Sequence, residues 1–392
     1  VIKTNYYHLS NLELDLNRMI PFNKPYLTGK EAHYLYQAVY SGHISGNGNY
    51  TKKCHLFFEE RWGFKKTLLT TSCTDALEMC ALLLNVKNTD EVIVPSFTFV
   101  SSALAFERQG AKIIFADSRK DHPGIDETKI EALITPKTKA IVVVHYAGVA
   151  VDMDIIMEIA KKHNIYVIED AAQAIDSYYK GRPLGSIGHF GTFSFHETKN
   201  IQCGEGGLLA INDDTFINRA EIIWEKGTNR AEFFRGEANK YGWKDTGSSF
   251  LPSELNASFL YAQLENINDI QNKRKEIWLA YYNNLKLLED KGLIKLPFIP
   301  DYASNNGHMF YIILNDINQR SLFINYMGGH NIKCVFHYLS LHQSDYYLKK
   351  NELRHLEKSD YYSDCLVRLP LYYELNNLKI FEIIESFFKN FL

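Results

Sequence analysis

From about Lys66 the chain alternates short apolar runs with stretches of helical spacing. Residues 67–71, 91–94, 112–115, 140–145 and 165–168 are β-prone, and the runs at 140–145 and 165–168 are apolar enough to be buried on both faces. Between them, 75–84 gathers Leu77, Met79, Cys80, Leu83 and Leu84 towards one side, and 101–109 and 129–133 read as helical. Residues 154–162 are amphipathic through Ile155, Ile156, Ile159 and Ala160. This alternation predicts an α/β fold: a mostly parallel central sheet with helices on both faces, and ligands at the carboxyl ends of its strands. After about residue 265 the texture changes to a charged helical stretch at 271–290, β-prone runs at 309–314 and 333–338, and a closing amphipathic helix at 378–391. The Phe381, Ile384 and Phe388 stripe of that helix reads as core. The expected division is an N-terminal extension (1–20), a large domain (21–264) and a smaller C-terminal α+β domain (265–392).

Composition narrows the function classes. Forty-three Lys and Arg against 46 Asp and Glu give a formal net charge of −3, which disfavours a globally basic nucleic-acid binder. At 46% hydrophobic and 23% charged, the 392-residue chain is too apolar to be disordered. The apolar stretch 140–151 is too short to span a membrane and contains His145. The N-terminus lacks the pattern of a secretion signal. Six cysteines form no C-x-x-C pair, so neither a zinc site nor a disulfide framework is expected, and reduced thiols point to the cytoplasm.

Four features stand out, the first three just after predicted strands. Ser72-Cys73-Thr74-Asp75 opens a helix whose free N–H groups can hold a phosphate, although a plain N-cap has the same look. Pro95-Ser96-Phe97-Thr98-Phe99 offers an aromatic ring that either stacks on a flat cofactor or joins the core. Glu169-Asp170-Ala171-Ala172-Gln173 places an acid after the most apolar strand; it either caps a helix or pairs with a buried cation such as a protonated pyridine nitrogen. Phe193-Ser194-Phe195-His196-Glu197-Thr198-Lys199-Asn200 runs into Gly204-Glu205-Gly206-Gly207, and its lysine is a Schiff-base candidate. Each is weak alone. Together they are the parts of a pyridoxal 5′-phosphate (PLP) site.

Other motifs carry less. His196-Glu197 lacks the second histidine of H-E-x-x-H, the glycines at 204–207 miss the dinucleotide-binding spacing, and His337 and His342 are not expected to bind metal.

From about Pro21 to its end the sequence resembles the DegT/DnrJ/StrS family of PLP-dependent sugar aminotransferases, of fold-type I architecture. The resemblance rests on Val144-His145-Tyr146-Ala147-Gly148, on Glu169 to Gln173, and on Ser194 to Asn200 with the glycines that follow. It implies Lys199 as the Schiff-base lysine and proton shuttle, and Asp170 as partner of the pyridine nitrogen. It further implies Gln173 near the ring hydroxyl, Phe97 stacked on the ring, and Cys73, Thr74 and Ser194 around the phosphate. Asn229 would reach the phosphate of a neighbouring subunit in a homodimer, and Arg230 or Arg235 would add local positive charge.

The implied reaction moves an amino group from L-glutamate to a nucleotide-linked keto-deoxysugar. The nearest resemblance is to conversion of dTDP-4-keto-6-deoxyglucose into dTDP-4-amino-4,6-dideoxygalactose. The 4-amino gluco epimer, or a 3-keto acceptor, would use the same parts. A non-catalytic PLP-binding regulator would call for a basic DNA-binding segment, which the sequence does not signal. Many relatives carry Gly-Thr where this chain has Cys73-Thr74, and Asn near Ser248 or Ser249. A dehydratase branch has histidine in place of the lysine that is kept here.

Overall fold

A computed structural model describes residues 19–391. The expected extension at 1–20 lies outside them except for its last two positions. Seven strands form the main sheet: β1 (Lys66–Thr70), β2 (Glu91–Pro95), β3 (Lys112–Ala116), β4 (Thr138–Val144), β5 (Tyr166–Asp170), β6 (Phe190–Ser194) and β7 (Gly207–Ile211). Their order is β1-β7-β6-β5-β4-β2-β3. Every neighbouring pair is parallel except the two made by β7, which runs against both β1 and β6.

The period of two explains why the sheet is covered on both sides. Ile93, Ile141, Val143, Val167, Leu208 and Ala210 enter one core, while Val92, Val94, Ala140, Val142, Leu209 and Ile211 enter another. The helices Asn49–Trp62, Met153–His163 and Glu254–Leu264 contribute to the first core, and Cys73–Leu83, Ser101–Glu107 and Ile217–Trp224 to the second. Strands buried this way read as continuous apolar runs, which is how the sequence displayed β2, β4 and β5.

A second, antiparallel sheet is made of β8 (Phe310–Ile313), β9 (Val335–Phe336) and β10 (Leu366–Leu369), in the order β8-β10-β9. It packs with the helices Ile267–Asp290, Ile317–Gly329 and Leu378–Phe391, and Phe381, Ile384 and Phe388 of the last are core residues. A small aromatic core that includes Phe97, Tyr146, Tyr311 and Tyr362 joins the two sheets.

The predicted elements reappear with adjusted ends. The strand expected at 165–168 extends through Glu169 and Asp170, and the run at 333–338 shortens to Val335–Phe336. Strands β6 and β7 and the helices Glu31–Tyr40, Asn49–Trp62, Ile217–Trp224 and Glu254–Leu264 carried no sequence expectation. No helix among the described residues is long and apolar enough to cross a membrane.

Candidate active site

A cavity of about 560 Å³ opens at the carboxyl ends of the parallel strands. The large sheet supplies Cys73, Thr74, Asp170, Gln173, Ser194 and Lys199, and the segments around the small sheet supply His308, His337, Tyr338 and Arg368. The strand-end rule for ligand sites in parallel sheets is thus obeyed.

One end of the cavity is built from two helix starts. Ser72 caps the helix Cys73–Leu83, its side chain accepting from Asp75 N at 3.1 Å. That leaves the Cys73 and Thr74 amides at the exposed positive end of an eleven-residue helix. Thr74 Oγ1 lies 2.7 Å from Ser101 Oγ, at the first turn of the helix Ser101–Glu107. Beneath this turn runs Gly207 of β7, where a Cβ would collide with the Ser72 carbonyl carbon and the Cys73 nitrogen. The glycine permits the close approach of β7 to the cradle. The Cys73 thiol is pushed up by burial and by Asp170, so it stays protonated and offers no anion of its own there.

Asp170 ends β5 in a buried position. Its Oδ2 accepts from Ser102 Oγ at 2.7 Å and its Oδ1 from Ala172 N at 3.1 Å. Burial raises its pKa, opposed by the Ser102 and Ala172 hydrogen bonds and by the charge of Lys199. A carboxylate in that state is held ready for a cation in the cavity. Behind it, Glu169 points the other way and accepts from Gly185 N (2.8 Å), Ile187 N (2.6 Å) and Gly188 N (2.6 Å), with His145 Nε2 at 2.9 Å. Gln173 is fixed at both ends of its amide: Oε1 accepts from Ala147 N at 2.6 Å and Nε2 donates to the Tyr338 hydroxyl at 3.1 Å.

Lys199 projects from the loop between β6 and β7. Backbone bonds from Phe195 N to Gly206 O, Cys203 N to Phe195 O, Glu197 N to Gly204 O and Lys199 N to His196 O close that loop tightly. Burial lowers the Lys199 amine to about 8, with Arg368 lowering it and Cys73 and Asp170 raising it. At neutral pH an appreciable fraction is therefore the free amine that nucleophilic attack requires.

The next residue, Asn200, is buried. Its Nδ2 donates to Gln271 Oε1 (2.8 Å) and the Asn306 carbonyl (3.0 Å), so Oδ1 is left to face His308 Nδ1 at 2.8 Å. The network assigns the proton of His308 to Nδ1 and leaves Nε2 as the acceptor of a ring that lines the cavity. Burial, with the charges of Lys199, Arg368 and Arg274, holds His308 neutral.

Six of the eight expected site residues line this one cavity: Cys73, Thr74, Asp170, Gln173, Ser194 and Lys199. Phe97 does not. It is 1% exposed and packs against Tyr146, Tyr338 and Tyr362 at centroid distances of 5.4, 5.9 and 5.8 Å. The chain bends over 96–98, and it is Phe99, 57% exposed, that reaches the cavity wall.

Asn229 is also away from the cavity lining, its amide bonded to Glu232 Oε2 (3.0 Å) and Gly242 N (3.0 Å). Arg235 is ion-paired to Glu221 and Glu237 and Arg230 lies 3.9 Å from Glu225, so neither supplies charge to the cavity within this chain. Of the two histidines five apart, His337 lines the cavity with Nδ1 2.9 Å from the Tyr146 hydroxyl, whereas His342 is buried against Ser96. Sequence reasoning missed Phe99, Ser102, His308 and Arg368. Only Phe99, the second aromatic of the same motif, carried a usable signal.

A lysine and a buried aspartate in one cavity, with a helix start between strands of a mostly parallel sheet, define a PLP-type transferase site. The chain belongs to the DegT/DnrJ/EryC1/StrS aminotransferase family, whose model matches residues 25–388. It is 30% identical over 380 residues to the spore coat polysaccharide biosynthesis protein SpsC of Bacillus subtilis, covering 94% of this chain and 96% of that protein. It is 37% identical over 272 residues to the GDP-perosamine synthase of Escherichia coli O157:H7, covering 69% and 72%. A Streptococcus pneumoniae protein solved in its PLP form superimposes with a TM-score of 0.86 at 26% identity, over 94% of this chain and 97% of that one. The cofactor is PLP, and the residues present fit it: amides for a phosphate, a buried acid for a ring nitrogen, and an amine of lowered basicity.

Proposed function

We propose that the chain transfers the amino group of L-glutamate to a nucleotide-linked keto-deoxysugar, with dTDP-4-keto-6-deoxyglucose as acceptor and dTDP-4-amino-4,6-dideoxygalactose as product. The observation that carries the aminotransferase chemistry is the convergence of Lys199, Asp170 and the Cys73–Thr74 amides on one cavity. The sugar acceptor draws support from relatives whose names concern polysaccharide biosynthesis and perosamine synthesis. The dTDP group and the C4 position rest on the sequence resemblance.

When bound, PLP supplies an electron-withdrawing ring and an aldehyde carbon that carries the amine from donor to acceptor. The Cys73 and Thr74 amides with Ser194 would hold its phosphate, Asp170 its ring nitrogen, and Gln173 its ring hydroxyl. Phe99 takes the stacking role expected of Phe97. Lys199 then moves the proton: as free amine it accepts one from Cα of the donor, and as ammonium it returns one to C4 of the sugar. The donor leaves as its 2-oxo acid, whose carbonyl oxygen comes from a water, and the sugar's keto oxygen leaves as water, so that no water is gained or lost overall. Asn229 would complete the phosphate site of a second copy in a homodimer, and the cytoplasm is the compartment where the nucleotide-sugar pool would meet the enzyme.

The test combines protein, PLP, L-glutamate and the dTDP-4-keto sugar, with NMR of the product to read the position and configuration of the amine. Failure to form any amino sugar, or full activity in Lys199→Ala, sinks the reading. A GDP-linked or 3-keto acceptor preferred over the dTDP-4-keto sugar replaces the substrate and keeps the chemistry.

A further inference from the structure

His337 follows directly on β9 of the small sheet, and Tyr146 stands two residues past the end of β4 in the large one. The hydrogen bond between them therefore joins the two sheets beside the cavity, and it also fixes the position of a proton. Tyr146 is buried, with the rings of Phe97, Tyr311 and Tyr338 packed around it. Among the described residues its hydroxyl has one hydrogen-bond partner, His337 Nδ1 at 2.9 Å. Burial keeps this phenol protonated. If Nδ1 carried a hydrogen of its own, the Tyr146 O–H would be left without an acceptor in an apolar surround, which is costly. The phenol therefore donates, Nδ1 accepts, and the imidazole hydrogen sits on Nε2. Burial holds the ring neutral, and its basic neighbours Arg368, Lys199 and His308 act the same way.

Nε2 of His337 has no partner among the described residues, yet it is not a buried atom, and the residue lines the cavity. The wall thus presents an uncharged N–H donor to the cavity. His308 is the opposite tautomer: its Nδ1 hydrogen is tied to Asn200, so its Nε2 only accepts. Phosphate and carboxylate groups gain more from a helix start or from the charges of Lys199 and Arg368 than from a neutral imidazole. The uncharged donor suits an uncharged oxygen, above all one that becomes negative as bonds change. Its place agrees with that role. Tyr338, the next residue, accepts from Gln173, which the functional reading sets at the ring hydroxyl of PLP. On PLP that hydroxyl and the aldehyde carbon are borne by neighbouring ring carbons, so the transferred amine meets its carbonyl partner at this end of the cavity, which Lys199 shares.

From this geometry we infer that His337 donates its Nε2 hydrogen bond to the keto oxygen of the acceptor sugar and polarises that carbonyl as the amine adds to it, an assignment that rests on the aminotransferase reading above. The hydrogen stays on the imidazole, so the ring stabilises the developing negative charge without changing its own. The carbonyl oxygen of the 2-oxo acid takes the same position, so both half-reactions use the donor. Tyr146 is a positioning residue that holds the tautomer.

The experiment compares wild type, H337F, H337Q and Y146F of matched melting temperature. The PLP-loaded protein, which has no amine to give, is mixed with the keto sugar nucleotide carrying 13C at its keto carbon, and difference infrared spectroscopy reads the carbonyl stretch. In wild type the stretch is expected below its free position; it should return towards that position in H337F and lie between the two in H337Q, which keeps an N–H. In turnover, kcat of H337F is expected to fall about a hundredfold with KM for the keto sugar changed less than about threefold, and H337Q and Y146F should fall less. A carbonyl band that is the same in wild type and H337F overturns the inference. So does a loss confined to KM, which would give the N–H to a sugar hydroxyl. If the band moves with His337 yet the amine-loaded protein makes no amino sugar, the functional reading fails and the donor stands. If H337F makes the amino sugar at the wild-type kcat, the donor fails and the function stands.

Discussion

Gly207 lies directly against the carbonyl of Ser72, so that the strand leaving the lysine loop supports the helix start that faces the cavity. The two sites are far apart in sequence, yet no side chain fits between them.

Gly207→Ala should therefore damage the phosphate end without touching Lys199 or Asp170. The added methyl would meet the Ser72 carbonyl and the Cys73 nitrogen, backbone atoms that cannot rotate away, and overpacking of this kind costs about 1–3 kcal/mol. PLP affinity of the purified apoprotein, followed by absorbance titration, should weaken about tenfold for each 1.4 kcal/mol that falls on the bound form. A variant that binds PLP like wild type would show that the cradle tolerates displacement.

The Lys199 amine, lowered to about 8 by burial, gives a pH dependence of known sign. The folded chain holds this proton less tightly than the unfolded one, so between about pH 8 and the ordinary lysine value of about 10.4 the unfolded state binds more protons and the group's contribution to stability rises with pH. Melting of the apoprotein across that window should show a slope that Lys199→Met removes. The rate of PLP capture should rise through about pH 8 and level off above it, as the free amine becomes the main form.

The two aromatics of one motif should separate cleanly. Phe97→Ala opens a hole in the core joining the two sheets and is expected to cost about 3–5 kcal/mol in denaturant unfolding. Phe99→Ala, on the exposed cavity wall, should change stability by no more than about 0.5 kcal/mol. Its effect should appear as weaker PLP binding and a blue- or red-shifted cofactor band. The reverse pattern would restore Phe97 to the ring.

Glu169→Gln replaces a fully buried acceptor of three backbone N–H groups by an amide with one acceptor oxygen. Breaking a buried charge-assisted network in this way is expected to cost about 3 kcal/mol or more. Because β5 carries Asp170 next in line, activity should fall with stability and recover neither with excess PLP nor with excess glutamate. Unchanged unfolding would mean that the turn at Gly185 to Gly188 is held by other contacts.

The sheet was legible in sequence where its strands are buried on both faces: the expectations at 91–94, 140–145 and 165–168 rest on the apolar runs 92–94, 140–144 and 165–168, and they keep nearly the same bounds in the fold. Strand β6 was not, because its Phe-Gly-Thr-Phe-Ser sequence interrupts the apolar run with small and polar residues. Cys73 and Asp170 were legible for the same reason, since they sit at or just beyond the ends of expected strands, whereas Ser194 and Lys199 were legible only through their own motif and the glycines that follow it. Phe97 and Phe99 could not be told apart, because the bend at 96–98 that sorts them is a product of packing. Arg368 and His308 had no local signal. Each is brought in by tertiary structure, Arg368 from a strand of the small sheet and His308 from the segment just before one, and an arginine in a strand looks the same whether it faces water or a cavity.

The reversed direction of β7 bears on when the binding site comes into being. Its five residues lie between β1 and β6, so Lys66 cannot find its partner Ile211 until synthesis has passed that point. A nascent chain that stops short of β7 holds the helix start and the aspartate but neither the floor beneath the cradle nor a closed lysine loop. Closure of so long a segment is slow compared with local pairing, which makes cofactor capture wait on the arrival and docking of β7.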